Sequence, residues 1–270
     1  MAPQDDQQPR DLPPFSRRLH GWFMFYVRKY FRRHFHALRV LEADGPPPPD
    51  PGQEPLLVYT NHPGWWDPLV FLLLAERVFP GRLNYGPIDS AALGKYRFLE
   101  RIGFLGIEPD SRRGAARFLR LAAAAMRRPD VIFWITAQGS FADPRSRPPA
   151  IRPGVAHAVA AARGGIVVPL AVEYPFWNER LPEALVAFGP AVRIADHQDR
   201  GPREWHAVLE EALAATQDRL AAAALRRNPD DFRRLAAGAV GVGFAYDLLR
   251  RIDAWRHGRR FTAAHDEETT

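Results

Sequence analysis

Three short runs with almost no polar interruption constrain this chain most: Leu56–Thr60 (LLVYT), Val131–Thr136 (VIFWIT) and residues 166–172 (IVVPLAV). Each is too short for a buried helix and rich in β-branched or aromatic residues, so each reads as a strand apolar on both faces. Such a strand needs a covering layer on either side, which is the situation of a parallel sheet between helices. The intervening segments fit that role. Residues 67–79, 91–101, 112–127, 154–163 and 204–225 read as helices, the first with Pro68 in its opening turn, where proline is tolerated. Weaker strands are expected at 83–85 and 104–107, with 185–188 and 192–194 as a closing hairpin. The expected fold is therefore α/β: a mainly parallel mixed sheet flanked by helices. No internal repeat is visible.

The two ends read differently from this core. Residues 1–14 read as disordered. Residues 15–41 read as one long helix in which Phe15, Trp22, Phe23, Phe25, Tyr26, Tyr30, Phe31 and Phe35 alternate with Arg17, Arg18, Arg28, Lys29, Arg32, Arg33 and Arg39. No acidic residue interrupts the stretch before Glu42. Aromatic rings among cations suit a helix lying in the interface of an anionic membrane; a packed helix with a solvated basic face is the other reading. The proline-rich stretch at 45–52 (GPPPPDPG) ends it. The expected organisation is an N-terminal amphipathic membrane-surface helix at 15–44, a domain at 55–225 and a helical C-terminal tail at 229–260. That tail carries Gly238, Gly241, Gly243, Trp255 and a group of arginines. It reads either as a second surface attachment or as a helix packed on the first.

Charge and composition narrow the partners. The formal net charge of +6 favours a polyanionic partner. No nucleic-acid-binding module is recognisable, so an anionic lipid surface is preferred over nucleic acid. No apolar run reaches the 18 residues that would suggest a membrane span, and no secretory signal is visible. The expected location is peripheral, on the cytoplasmic face of a membrane. Cysteine is absent, which excludes disulfides, cysteine-ligated zinc and a thiol nucleophile.

The chemistry is concentrated where the first strand ends, in Asn61-His62-Pro63-Gly64-Trp65-Trp66-Asp67-Pro68. His62 and Asp67 are five residues apart, which is not a same-face helical spacing, so they meet only if the turn folds back. Pro63 and Gly64 permit such a turn. The Asp67 carboxylate would then hold one imidazole N–H and leave the other nitrogen as a base. The opposing reading is a satisfied loop histidine and a helix-capping aspartate. Of Trp65 and Trp66, one is expected to line a lipid channel and the other to anchor the turn.

Over roughly residues 56–188 the chain resembles the glycerolipid acyltransferases, of which 1-acylglycerol-3-phosphate acyltransferase is the best known. An Asn-His-x-x-x-x-Asp block follows the first strand. Next come Gly103-Phe104-Leu105-Gly106-Ile107 with Arg112 and Arg113 after it, then Phe133 to Ser140 ending in a glycine loop. Arg152-Pro153-Gly154 opens a helix, and a strand carries Val167-Val168-Pro169-Leu170. The resemblance implies an O-acyltransferase with His62 as general base and Asp67 orienting it. The donor would be acyl-CoA or acyl-carrier protein, and the acceptor a lysophospholipid or related lipid. It also implies acceptor contacts from Gln138, Gly139 and Ser140, with Arg112, Arg113, Arg145 or Arg147 as candidates to stand in for the family's basic residues, and no cofactor or metal. Two positions depart from the family. Its third block usually reads Glu-Gly-Thr-Arg, and here Gln138-Gly139-Ser140-Phe141 stands there; Pro109 holds the place of an arginine in the second block. Those basic residues are read as phosphate contacts, so an acceptor without phosphate, glycosylated or otherwise hydroxylated, is an alternative.

Other functions are less well supported. His34 and His36 lie two apart and no His-Glu-x-x-His pattern occurs, which speaks against a metal-dependent hydrolase. Phosphate-loop and dinucleotide glycine patterns are missing, as is a Gly-x-Ser-x-Gly elbow. A noncatalytic membrane binder remains the alternative from another class.

Overall fold

Residues 12–239, apart from 44, 46 and 49, are described by a computed structural model. The expected apolar strands lie side by side in its middle. The strands are β1 (Ala37–Leu41), β2 (Leu56–Thr60), β3 (Leu83–Asp89), β4 (Phe104–Ile107), β5 (Val131–Thr136), β6 (Ile166–Glu173), β7 (Glu183–Phe188), β8 (Val192–Arg193) and β9 (Phe232–Ala237). They form one sheet in the order β4-β3-β5-β2-β6-β7-β1-β9, with β8 also paired to β6. The block β4-β3-β5-β2-β6 is parallel throughout. β7 runs against β6 and β1 runs parallel to β7, which makes the sheet mixed.

Alternation along the strands sorts the covering helices. Leu57, Tyr59, Phe133, Ile135 and Val167 face α4 (Arg112–Ala125), α5 (Pro153–Ala161) and α6 (Pro202–Arg226). Leu56, Val58, Ile132, Trp134 and Val168 face α1 (Arg17–His34) and α2 (Asp67–Val78). Neighbours such as Phe133 and Trp134 thus serve opposite layers, as the period of two requires. A short helix α3 (Ser90–Lys95) and a 3-10 turn, Arg97–Ile102, link β3 to β4.

Both ends of the chain correct the sequence-based expectation. The N-terminal helix stops at His34, and residues 37–41 form a fully buried strand between β7 and β9. The pattern ALRVL fits either period; pairing on both sides decides for the strand, a tertiary choice that local pattern cannot reveal. Residues 232–237, expected to be helical, form the antiparallel edge strand against β1. Arg233 and Arg234 point outward from it, a usual protection for an exposed edge. The rest of the anticipated tail lies outside the described residues, as do residues 1–11. Leu12 is buried and Pro13 accepts a hydrogen bond from the Tyr85 hydroxyl at 2.7 Å, so this stretch is packed where disorder was expected. Residues 185–188 and 192–194 do not pair with each other. β7 and β8 lie in succession along one edge of β6, interrupted at Gly189-Pro190, where the Gly189 N–H bonds the Pro169 carbonyl at 2.9 Å.

β1 is fastened by charge as well as by pairing. The Glu183 carboxylate is 1% exposed, and it meets His36 Nδ1 at 2.5 Å and Arg39 Nε at 3.0 Å. The Arg39 guanidinium lies 5.8 Å from the Trp177 ring centroid. Burial pushes the His36 pKa down, but the hydrogen bond and charge of Glu183 outweigh it and leave the imidazole raised. A raised imidazole gives stability that is fully present below the ordinary histidine pKa of about 6.5 and is lost as pH rises through the raised value. Urea unfolding midpoints should therefore fall on the alkaline side of that window. In Glu183→Gln the fall should shrink, and stability should drop by about 3 kcal/mol because the buried His36 and Arg39 lose the carboxylate they share.

Candidate active site

The C-terminal ends of β2, β5 and β6 lie side by side, and ligands of open α/β sheets bind at such an edge. The backbone of β2 must leave the sheet there. Asn61 makes the exit orderly. Its side-chain amide accepts from the Val172 N–H at 2.8 Å and donates to the Val172 carbonyl at 2.9 Å, standing in for a peptide of the missing ladder. His62 follows at once. A turn closed by the Asp67 N–H on the Gly64 carbonyl at 3.3 Å then brings the chain back into α2, with Asp67 as its first residue.

The folded-back turn joins the expected pair. His62 Nδ1 is 2.5 Å from Asp67 Oδ2, with the Gly64 N–H 3.5 Å from the same oxygen. The other oxygen, Oδ1, accepts from the Tyr174 hydroxyl at 2.5 Å. The Asp67 side chain is 0% exposed and that of His62 17%, so the acid is internal and the base reaches the surface. Burial pushes the Asp67 carboxyl up; hydrogen bonds from His62 and Tyr174, the His62 charge and the Gly64 N–H pull it only part of the way back, so it stays above the ordinary carboxylate value. The N-terminus of α2 favours the carboxylate further. Burial and the neighbouring carboxylate hold Tyr174 well above the ordinary phenol range, so it stays a neutral donor. With Nδ1–H committed to Asp67, Nε2 carries the free lone pair of a general base.

Tyr174 was not found from the sequence. The available signal was its place: a polar ring immediately after β6, the strand beside β2.

The other expected contacts divide. Gln138 is buried with both ends of its amide engaged. Oε1 accepts from the His62 backbone N–H at 2.8 Å and Nε2 donates to the Pro149 carbonyl at 2.7 Å. Its amide therefore faces backbone, in contrast to the anticipated acceptor contact. Gly139 has φ of 65°, and a Cβ there would lie 2.5 Å from Arg152 Nε, so this position suits glycine alone. Ser140 and Phe141 are exposed, and the Phe141 ring stands edge-on to His62 with centroids 4.5 Å apart. Arg112 and Arg113 are exposed in the first turn of α4, after β4, three places along the sheet from β2. Arg145 lies 3.9 Å from the buried Glu173, and Arg152 bonds Asp110 at 2.8 Å and the Gln138 carbonyl at 3.2 Å. Trp66 anchors: its ring packs on Phe35 at 5.0 Å and on Tyr30 and His34 of α1. Trp65 is 70% exposed. Among the described residues no cluster of side chains is suited to hold a metal ion.

No protein-family model matches this sequence, and no curated protein matches it. Among solved structures it is similar to the 1-acyl-sn-glycerophosphate (LPA) acyltransferase PlsC from Thermotoga maritima, with a TM-score of 0.53 at 11% identity over 76% of this chain and 82% of that one. At that identity the likeness is one of fold: this chain has an acyltransferase-like α/β architecture.

The geometry makes Tyr174 testable. Its hydroxyl stabilises the Asp67 carboxylate, so Tyr174→Phe should raise the Asp67 pKa. The acidic limb of the pH–activity profile should then shift to higher pH, with the alkaline side nearly unchanged. Asp67→Asn, which loses the carboxylate while keeping the shape, should lower turnover by about 10³-fold or more at every pH.

Proposed function

We propose that the chain is an O-acyltransferase that moves a fatty acyl group from an acyl thioester to a lipid hydroxyl. The observation that carries this reading is the buried carboxylate that fixes His62 Nδ1 and leaves Nε2 at the surface. In the scheme, Nε2 takes the proton of the acceptor hydroxyl as its oxygen attacks the thioester carbonyl. Asp67 stays ionised and stabilises the imidazolium. The tetrahedral intermediate collapses, the carbon–sulfur bond breaks, and the departing thiolate takes the proton from Nε2. Acyl-CoA and acyl-carrier protein are both suitable donors. The fold likeness to an LPA acyltransferase and the matching sequence blocks support a lysophospholipid acceptor. Phe141 favours a second reading, an acceptor without phosphate: an exposed aromatic ring beside the base is a better platform for a sugar or an apolar group than for an anion.

Access to lipid would come through α1. Met24, Val27 and Phe31 fasten its inner face to the core, while Trp22, Phe25 and Tyr26 are exposed on the outside. Arg18, Lys29, Arg32 and Arg33 are exposed with them. Tyr96 and Phe98 extend the same aromatic group, with the Phe98 and Phe23 centroids 5.9 Å apart. Such a face suits an anionic bilayer on the cytoplasmic side. No described helix is long and apolar enough to cross a membrane.

Two experiments test this. Thioester consumption should require both an acceptor and His62, with His62→Ala at least about 10³-fold slower at unchanged thermal stability. The acceptor panel should include lysophosphatidate, other lysophospholipids, glycolipids and phosphate-free hydroxylated lipids. Absence of His62-dependent transfer to any of them, with either donor, would point to a noncatalytic membrane protein on this fold. Vesicles containing anionic lipid should bind the protein in a salt-sensitive way, and Trp22→Ala with Phe25→Ala should weaken binding about tenfold or more. Equal binding by the double variant would reject α1 as the docking face.

A further inference from the structure

The backbone of His62 is gripped on both sides by a single loop. Its N–H goes to Gln138 Oε1 at 2.8 Å, and its carbonyl accepts from the Ala142 N–H at 3.0 Å. Both partners belong to residues 137–152, between β5 and α5. The grip is itself braced. Gln138 Nε2 donates to the Pro149 carbonyl at 2.7 Å across the base of the loop, and Arg152 Nε donates to the Gln138 carbonyl at 3.2 Å. The Ala137 N–H bonds the Thr60 carbonyl and the Arg152 N–H bonds the Ala137 carbonyl, each at 2.8 Å, closing the loop onto the end of β2. Asp67 fixes the imidazole ring and, through Gly64, the turn that follows it, but it makes no bond to the His62 backbone itself.

We infer that Gln138 is the positioning residue of the base: it sets the height and direction of His62 through the backbone and does not contact substrate. The reason is in its donor and acceptor inventory. This position must accept from an N–H and donate to a carbonyl at the same time. A carboxamide does both at any pH. A carboxylate only accepts, and would face the Pro149 carbonyl with like partial charge; a carboxyl group meets both demands only while it is protonated. The amide is buried, so water cannot supply the missing donor without opening the loop. The same loop presents Ser140 and Phe141 on its exposed tip, so the base and the residues beside it move as one unit.

The catalytic consequence rests on the acyl-transfer reading above; the positioning itself does not. Gln138→Ala and Gln138→Glu would be compared with wild type by steady-state kinetics against pH and by amide hydrogen exchange at His62. A backbone shift at the base should lower kcat for both variants by about 10–100-fold at neutral pH, with KM for donor and acceptor within about twofold. Relative to wild type, Gln138→Glu should regain activity as pH falls and its carboxyl protonates, whereas Gln138→Ala should keep a constant deficit. Exchange at His62 should speed up about tenfold or more in Gln138→Ala, with the β2 and β6 amides unchanged. A raised KM with kcat preserved would make Gln138 a substrate contact and overturn the inference. Unchanged kcat and unchanged His62 exchange, with only a lower melting temperature, would overturn it as well. Wild-type protein that transfers acyl groups to no acceptor would sink the function proposed above, while the exchange at His62 would still decide whether Gln138 holds it.

Discussion

A carboxylate removed from water needs donors on both oxygens, and much of this fold is arranged to supply them to Asp67. The imidazole comes from the turn after β2, the phenol from the residue after β6, and the backbone N–H from Gly64 in the same turn as the imidazole. Three conditions must hold together. β2 and β6 must be neighbours in parallel register, so that their ends coincide; the turn must reverse within five residues; and α2 must begin at Asp67 itself. The Asn61 clasp on Val172 meets the first condition and Pro63-Gly64 the second. The opposing forces act on the same group: burial raises the Asp67 pKa, and the three donors offset part of that rise.

The parallel centre and the mixed rim of the sheet divide the labour. The strands from β4 to β6 present their C-terminal ends to one edge, where the loops carrying His62, Gln138 and Tyr174 gather. β7, β1 and β9 widen the sheet beyond β6, while α1 packs on α2 and on the 3-10 turn Arg97–Ile102. Through Trp66, which packs on Phe35 and on the end of α1, the same helix touches the turn that bears the base. The exposed aromatic face of α1 and the His62 imidazole are thus joined through one packed contact. Under the proposed acyl transfer at a lipid surface, that arrangement would let the bilayer orient the acceptor before it reaches the site.

Gln138 and Phe141 shape the surroundings of His62 in two ways. The amide is absorbed into holding the backbone, and the ring stands beside the base. The arginines of this edge are mostly occupied in pairs, Arg152 with Asp110, Arg147 with Asp218 and Arg145 facing Glu173. Arg112 and Arg113 stand apart in the first turn of α4. The immediate surroundings of His62 are consequently more aromatic than cationic.

By itself the sequence determined what local chemistry can determine. Apolar runs such as VIFWIT, short and rich in β-branched and aromatic residues, read as buried strands, and the helices between them follow from periodicity, so the layered parallel centre was legible. The meeting of His62 and Asp67 was legible as one of two readings, because Pro63 and Gly64 permit the turn, and the resemblance favoured it. Tertiary structure decided what depends on a distant partner. ALRVL and FRRLAA satisfy both helical and strand patterns, and only the free edge of β7 and then of β1 makes them strands. Tyr174 and Gln138 acquire their roles from chain 107 and 76 residues away from the groups they bond, a relation that no spacing within one sequence reveals. Hydrogen bonds that satisfy buried polar groups are short-ranged in space and indifferent to distance along the chain, which is why the base could be read from the sequence and its support could not.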